Sequence, residues 1–333
     1  MKNIIKSVSV IVGAVVGAGF ASGQEIYSFF NVYNENGLVG IIISSILLGF
    51  IIYKVLKKSN DFNITTYNEL LEKIHVPEKI KNILNIIINI FLLISFYIMV
   101  AGFTAYFKQE FNVPRIVTAL IITGICYITF MKSIEGITKV SMKVVPILII
   151  IIIIFGIRSN IFETIMQINF ENIGIRGNWL IKSIEYTSYN SILLIPVLIS
   201  LKKYTKNNEK IVSFATAIIF GILSITIYLV MLNEGGLHGI EIPLIQIANS
   251  YGNLFKYGYS LVIIFAIYTT MISEGYGFLT NCTKNQKQYK AIAIALCISA
   301  IFISNISFSY LINLTYPAFG ILGVVQLIYL IYT

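Results

Sequence analysis

The chain has 333 residues, 57% of them hydrophobic and 12% charged, with a mean hydropathy of +0.83 and a net charge of +9. Soluble domains run near about 45–50% apolar and about 25% charged, so this composition excludes an ordinary soluble core. The positive balance then asks for no nucleic-acid partner, because lysines crowd the cytoplasmic loops of membrane proteins.

The apolar residues come in blocks, near 7–30, 37–55, 83–107, 114–131, 143–158, 179–201, 211–232, 254–280, 289–305 and 308–331. These match the roughly 20 residues needed to cross a hydrocarbon core of about 30 Å. Buried strands rarely exceed about 8 residues, so the pattern predicts an all-α polytopic membrane protein of about ten helices. The short turn around Asn305 leaves a nine-span count open.

The first block follows Lys2 and Lys6 as a signal peptide would. It carries four glycines by Gly23 and then Gln24 and Glu25, with no clear cleavage site, and reads as a retained first helix. Its centre runs Gly13-Ala14-Val15-Val16-Gly17-Ala18-Gly19-Phe20-Ala21-Ser22-Gly23-Gln24-Glu25. Each glycine costs about 1 kcal/mol against alanine in a helix interior, so the run predicts unwinding near mid-membrane. Free backbone is tolerated there only against protein or a water-filled cavity. Close helix packing is the alternative, since Gly13/Gly17 and Gly19/Gly23 are both GxxxG pairs; it leaves Gln24 and Glu25 unexplained.

Between the second and third blocks, residues 56–82 contain Thr66-Tyr67-Asn68-Glu69, the pattern of a capping box that opens a short helix. Within the fifth block, Ile147–Ile157 is almost unbroken isoleucine. In the sixth, Thr187-Ser188-Tyr189-Asn190-Ser191 interrupts the apolar run before Pro196, and predicts a second break because Ser and Asn compete for backbone hydrogen bonds. Residues 233–253 hold Gly235, Gly236, His238 and Pro243. Either long loop is a structured element or a solvated connector. The eighth block carries Thr269, Thr270, Ser273 and Glu274.

Three carboxylates fall within the blocks. Intramembrane carboxylates are costly and by default mark ion or proton handling. Glu25 lies just outward of the first break, where a gate would stand, with Gln24 beside it. Glu185 has Lys182 one turn away and reads as a structural ion pair. Glu274 is either a proton-handling group or a side chain reaching the membrane surface. Cys126, Cys282 and Cys297 form no disulfide framework or metal spacing, and both histidines, His75 and His238, sit in loops. No catalytic constellation or cofactor motif stands out, which argues against an enzyme.

Lysines and arginines alternate loop by loop. Eighteen lie on the side of the N-terminus, among them Lys57, Lys58, Lys132, Lys139, Lys143, Lys202, Lys203 and Lys284, and five on the other, Lys108, Arg115, Arg158, Arg176 and Lys256. This places both termini in the cytoplasm, as expected of a multi-pass protein of a bacterial cytoplasmic membrane. The two predicted breaks fall in spans one and six, matching positions of two five-span halves at 1–165 and 170–333. Paired interrupted helices in inverted repeats point to a transporter binding site.

The stretch Gly17-Ala18-Gly19-Phe20-Ala21-Ser22-Gly23-Gln24-Glu25 with Phe29-Phe30 resembles the first helix of YkvI-like bacterial membrane proteins. Tyr186-Thr187-Ser188-Tyr189-Asn190 and Met99-Val100-Ala101-Gly102 resemble that family's sixth and third helices. The resemblance spans essentially the whole chain. It implies membership of the amino acid–polyamine–organocation superfamily and the LeuT fold, a 5+5 inverted repeat with helices one and six broken around the substrate. By similarity, Ala18, Gly19, Phe20 and Ser22 would hold a substrate carboxylate, with Ser188, Tyr189 and Asn190 opposite and Tyr97 either closing the side or merely packing. A Na+ ion would sit between the Gly13 and Val16 carbonyls and the hydroxyls of Thr269, Thr270 and Ser273, unless those hydroxyls bond their own helix. The fifth span has no lysine between Val144 and Ile157, which departs from one proton-coupled pattern.

The expectation is therefore a secondary transporter of a small solute, an amino acid or related compound, coupled to Na+ or H+ with Na+ preferred. It would work by alternating access in a lipid bilayer. A ligand receptor with a transporter fold, such as a germinant-receptor subunit, is the alternative.

Overall fold

The computed structural model describes residues 2–131, 135–168, 174, 177–234, 236–283 and 285–332, with side chains except at 2 and 135–145. Lys132, Arg176, Gly235 and Lys284, and the side chains of Lys2, Lys139 and Lys143, thus lie outside the described residues.

Every apolar block forms helix. The first is split into α1 (Lys2–Val15), α2 (Ala18–Ser22) and α3 (Gln24–Phe29). After a 3-10 turn come α4 (Glu35–Asp61), α5 (Tyr67–Lys73), α6 (Glu78–Phe111), α7 (Arg115–Phe130), α8 (Glu135–Arg158) and α9 (Ile161–Gln167). The second half holds α10 (Trp179–Thr205), α11 (Glu209–Glu234), α12 (Pro243–Ser250), α13 (Asn253–Cys282), α14 (Gln286–Ile303) and α15 (Phe308–Tyr332). Among the described residues, seven helices (α4, α6, α10, α11, α13, α14 and α15) are each long and apolar enough to cross a membrane. The end of α8 with α9, bent by 60°, makes an eighth, while Asn3–Val15 and Arg115–Phe130 are shorter apolar helices.

Both long loops carry structure. Thr66 caps α5, accepting the Glu69 amide at 3.2 Å, while the Glu69 carboxylate turns back onto Thr65, taking its amide and hydroxyl at 2.7 Å each. The capping box of the sequence is present, displaced by one residue. Tyr67 then tethers α5 to the bundle by donating to Gln326 Oε1 of α15 at 2.6 Å. Helix α12 starts with Pro243 at its first position, where the missing amide costs nothing.

α10 is the central post, packed along α1, α4 and α15, and α13 packs against α6 and α8. Small residues permit these approaches: a Cβ on Gly320 or Gly323 would strike the α10 backbone at Glu185 or Ser188. Ile46, Ile121, Phe214, Leu261 and Phe302 point outward and are exposed, while Tyr186, Tyr228, Tyr259 and Phe20 are fully buried. An apolar exterior around an interior that holds polar groups is how a bundle solvated by lipid is arranged. Cys126 and Cys297 are buried as packing groups and all three cysteines are free.

One end of the bundle is pinned by charge. Arg115 at the start of α7 pairs with Glu241 ahead of α12, and Glu241 Oε2 accepts the Phe308 amide of α15 at 2.8 Å. Lys256 of α13 reaches Glu110 of α6 at 2.6 Å.

Candidate functional site

The glycine run produces the interruption its composition predicts. α1 stops at Val15, Gly17 is extended at φ −80° and ψ −170°, and α2 lasts five residues before Gly23 turns left-handed at φ +81°. A residue with a Cβ is disfavoured in that region. At Gly23 a Cβ would in addition press on Leu244 of α12 and Met231 of α11. Ser22 staples the turn, donating to the Gly19 carbonyl at 2.6 Å and accepting the Gln24 amide at 3.1 Å. Tyr259 of α13 donates to the Ala21 carbonyl, tying the short helix to the bundle. The second GxxxG pair is therefore no packing face. Gly19 lacks a side chain because the Glu25 carboxylate occupies that space.

The sixth span departs from expectation. α10 runs unbroken through Thr187–Ser191, so helix six is not broken in this structure. Its hydroxyls and amide turn back on their own helix instead of freeing it. Ser183 bonds the Trp179 carbonyl at 2.8 Å, Thr187 that of Ser183 at 2.9 Å, Asn190 Nδ2 that of Tyr186 at 2.9 Å and Ser191 that of Ser188 at 2.7 Å. Such back-bonding satisfies the side chain while keeping the ladder, and α4 and α15 pack on both sides.

Break and post meet at one contact. Tyr189 Oη donates to Glu25 Oε2 at 2.6 Å, with both residues almost wholly buried. The Tyr189 ring stacks on Phe29 at 5.6 Å between centroids, lies 4.8 Å from Tyr316 of α15, and meets the edge of Tyr186 at 5.3 Å. Phe91 of α6 closes the wall against Tyr189 and Tyr316 at 6.4 and 6.3 Å. Such ring arrangements contribute about 0.5–1.5 kcal/mol each beyond burial.

Of the remaining predicted residues, Ala18 and Phe20 are buried in the break, and Phe20 packs on Phe220 at 5.9 Å. Ser188 Oγ and Gln24 Oε1 are buried without hydrogen-bond partners. Tyr97 is turned elsewhere, bonding Ser299 Oγ of α14 at 2.8 Å, because α14 offers its hydroxyl a partner that α2 does not. Thr269 bonds its own helix at Phe265 and Ala266, and Ser273 is exposed. Thr270 does approach the break: its Oγ1 lies 3.9 Å from where a Gly17 Cβ would stand. Among the described residues no backbone amide reaches the Gly13 or Val16 carbonyl. Glu185 forms the expected pair with Lys182 at 2.7 Å. Glu274 does not reach the surface; it is buried, with Oε2 unpartnered. Among the described residues there is no group of three or more His, Cys, Asp and Glu side chains fit for a metal.

The aromatic wall escaped sequence reading. Phe29 and Tyr186 stand in the motifs that carried the resemblance, but Phe91 and Tyr316 lie singly in apolar blocks. The Gly320 and Gly323 spacing beside Tyr316 was the one available signal that α15 lies against α10.

No family model matches the chain. It is similar to the uncharacterized membrane protein YkvI of Bacillus subtilis (strain 168), at 28% identity over 93% of this chain and 90% of that one. It is also similar to the uncharacterized protein YyaD of the same organism, at 29% identity over 98% and 96%. Among solved structures it is similar to a Na+-coupled sialic acid symporter in a substrate-bound outward-open state, with TM-score 0.59, 15% identity, and coverage of 95% of this chain and 78% of that one. A manganese transporter of Eremococcus coleocola gives TM-score 0.59 and 12% identity over 96% and 76%. Identities this low carry the fold alone. The chain is a helical membrane protein that shares its fold with these membrane transporters.

Proposed function

We propose that the chain is a secondary active transporter moving a small solute by alternating access. In this reading ten segments cross the membrane as two inverted halves, 1–165 and 170–333, with both termini cytoplasmic in a bacterial cytoplasmic membrane. The observation that carries it is the doubly broken first span, whose buried Glu25 meets Tyr189 of the central post. Irregular backbone at that depth is tolerated where it serves a binding site. The fold likeness to a Na+-coupled symporter and a manganese transporter supports transport as the class.

Na+ is the proposed coupling ion. The uncapped carbonyls of Gly13 and Val16 and the nearby Thr270 hydroxyl are hard oxygen donors of the kind such an ion takes. Thr269, spent on its own helix, and exposed Ser273 support that site less. Proton coupling is the second reading, favoured by the buried Glu274, whose Oε2 has no partner. Manganese as cargo finds no cluster of three metal-ligating side chains among the described residues.

Uptake into proteoliposomes under an imposed Na+ gradient, then under a pH gradient alone, tests the proposal. Na+-driven accumulation that is lost in Thr270→Val supports it. Accumulation that ignores Na+ and collapses with the pH gradient replaces Na+ by H+. Ligand binding with no flux under either gradient makes the chain a receptor.

A further inference from the structure

The break holds a carboxylate of its own. Glu25, one residue past the left-handed Gly23, folds back so that its Oε1 fills the space a Gly19 side chain would take. The place where a solute carboxylate is expected in a transporter of this fold is thus occupied by the protein's own carboxyl group. Tyr189 gives that group its hydrogen bond at 2.6 Å, and no Lys, Arg or His pairs with it among the described residues. Glu274 of α13 is a second buried carboxylate with no cationic partner among the described residues, and its Oε2 is unpartnered.

Two polar atoms beside these carboxyls are also poorly partnered. Tyr186 Oη lies beside Glu25, and Ser95 Oγ lies beside Glu274 and Tyr316, each more than nine-tenths buried and without a well-formed hydrogen bond. Buried polar groups are ordinarily satisfied, so loosely partnered hydroxyls around two buried carboxyls that have no cationic partner among the described residues describe a place that a cation completes. The walls agree. Phe29, Phe91, Tyr186 and Tyr316 pack against one another and around Tyr189, the residue that holds Glu25, with ring centroids 4.8–6.4 Å apart. Aromatic rings beside a carboxylate are the chemistry that recognises an ammonium group, methylated or not. A free carboxylate on the solute would meet Glu25 with no cation between them.

We propose that the solute bound at the first-span break is a small organic ammonium ion lacking a carboxylate, held by Glu25 and the ring wall of Tyr189 and Tyr316. This rests on the transporter reading for its location and departs from an amino acid as cargo. Tyr189 donates to Glu25 in this structure; an ammonium group with N–H replaces that hydroxyl as the donor, whereas a quaternary one is held by charge and the ring faces alone.

The test is ligand-dependent melting of the full-length protein in detergent at constant Na+, followed by emission of its single tryptophan, Trp179. The probes are methylammonium, tetramethylammonium, acetate and glycine. Either ammonium ion should raise the melting temperature by about 4 °C or more at a hundredfold excess over its Kd, while acetate and glycine leave it unchanged. Glu25→Gln should weaken methylammonium at least about tenfold, and Tyr316→Leu should weaken tetramethylammonium by about tenfold while sparing methylammonium more. Should either variant misfold, the four-probe panel on the unaltered protein still decides. Stabilisation by acetate or glycine with none by the ammonium ions overturns the proposal, as does unchanged affinity in a folded Glu25→Gln. Tetramethylammonium flux in proteoliposomes separates the two readings. Binding without flux sinks transport and keeps the ammonium site; flux of another solute without ammonium binding does the reverse.

Discussion

The first and sixth spans begin from similar disturbances and end differently. Each interrupts an apolar run near mid-depth, yet α1–α3 is broken twice and α10 not at all. The difference lies in the kind of residue. Glycine weakens a helix by what it lacks, so nothing at Gly17 or Gly23 restores the missing ladder, and Gly23 goes on to a left-handed conformation that other residues resist. Serine, threonine and asparagine weaken a helix by offering rival hydrogen bonds, and inside α10 the rivals are the helix's own carbonyls. A polar run in a membrane span is thus weaker evidence of a break than a glycine run.

Replacing the glycines should give the largest effects. Gly23→Ala places a Cβ in the left-handed region and against Leu244 and Met231, costing about 1–3 kcal/mol. We expect a clearly lowered melting temperature together with loss of uptake. Wild-type melting in Gly23→Ala would show that the second break is dispensable. Next, Gly323→Val drives a side chain into the Ser188 carbonyl on α10. Overpacking of that kind costs about 1–3 kcal/mol, and here it should push α15 and the Tyr316 ring off Tyr189. Thermal melting with cysteine cross-linking between α10 and α15 measures both.

A smaller effect sharpens the comparison from the other side. Ser191→Ala removes only the bond to the Ser188 carbonyl of its own helix, so stability should change by less than about 1 kcal/mol. Unchanged melting with normal uptake would mean that α10 stays continuous through the transport cycle. Unchanged melting with uptake abolished would mean that it opens there during transport.

The sequence made the helices and the first break legible because both are one-dimensional properties: length of apolar run and local glycine density. The Lys182–Glu185 pair was legible for the same reason, being one turn apart. Sites assembled across the chain were not. That Tyr189 would reach Glu25, 164 positions away, or that Tyr97 would prefer Ser299, depends on how helices rotate about their axes. A hydropathy pattern fixes that angle poorly when a helix is apolar all round, as α15 nearly is. The sixth-span error has a different origin, since local competition for hydrogen bonds predicts rivalry without saying which partner wins.

The smallest effect belongs to a place where a hydroxyl does begin a helix. Thr66 points forward, accepting the Glu69 amide, whereas the α10 hydroxyls point backward to carbonyls already inside a helix. Glu69 reinforces that start from outside the membrane-crossing segments. The amide and hydroxyl of Thr65 hold its carboxyl below the ordinary value of 4.5. A carboxyl depressed by folding adds stability above its unfolded pKa and loses it as pH falls through the folded value. The melting difference between wild type and Glu69→Ala should therefore stay constant from pH 7 down to about pH 5, then shift against the wild type on further acidification. The helix propensity gained by alanine adds an offset that does not vary with pH, so the slope isolates the cap. A flat difference through the acid range would mean that Glu69 is not ionised in the cap, and that Thr66 alone starts α5.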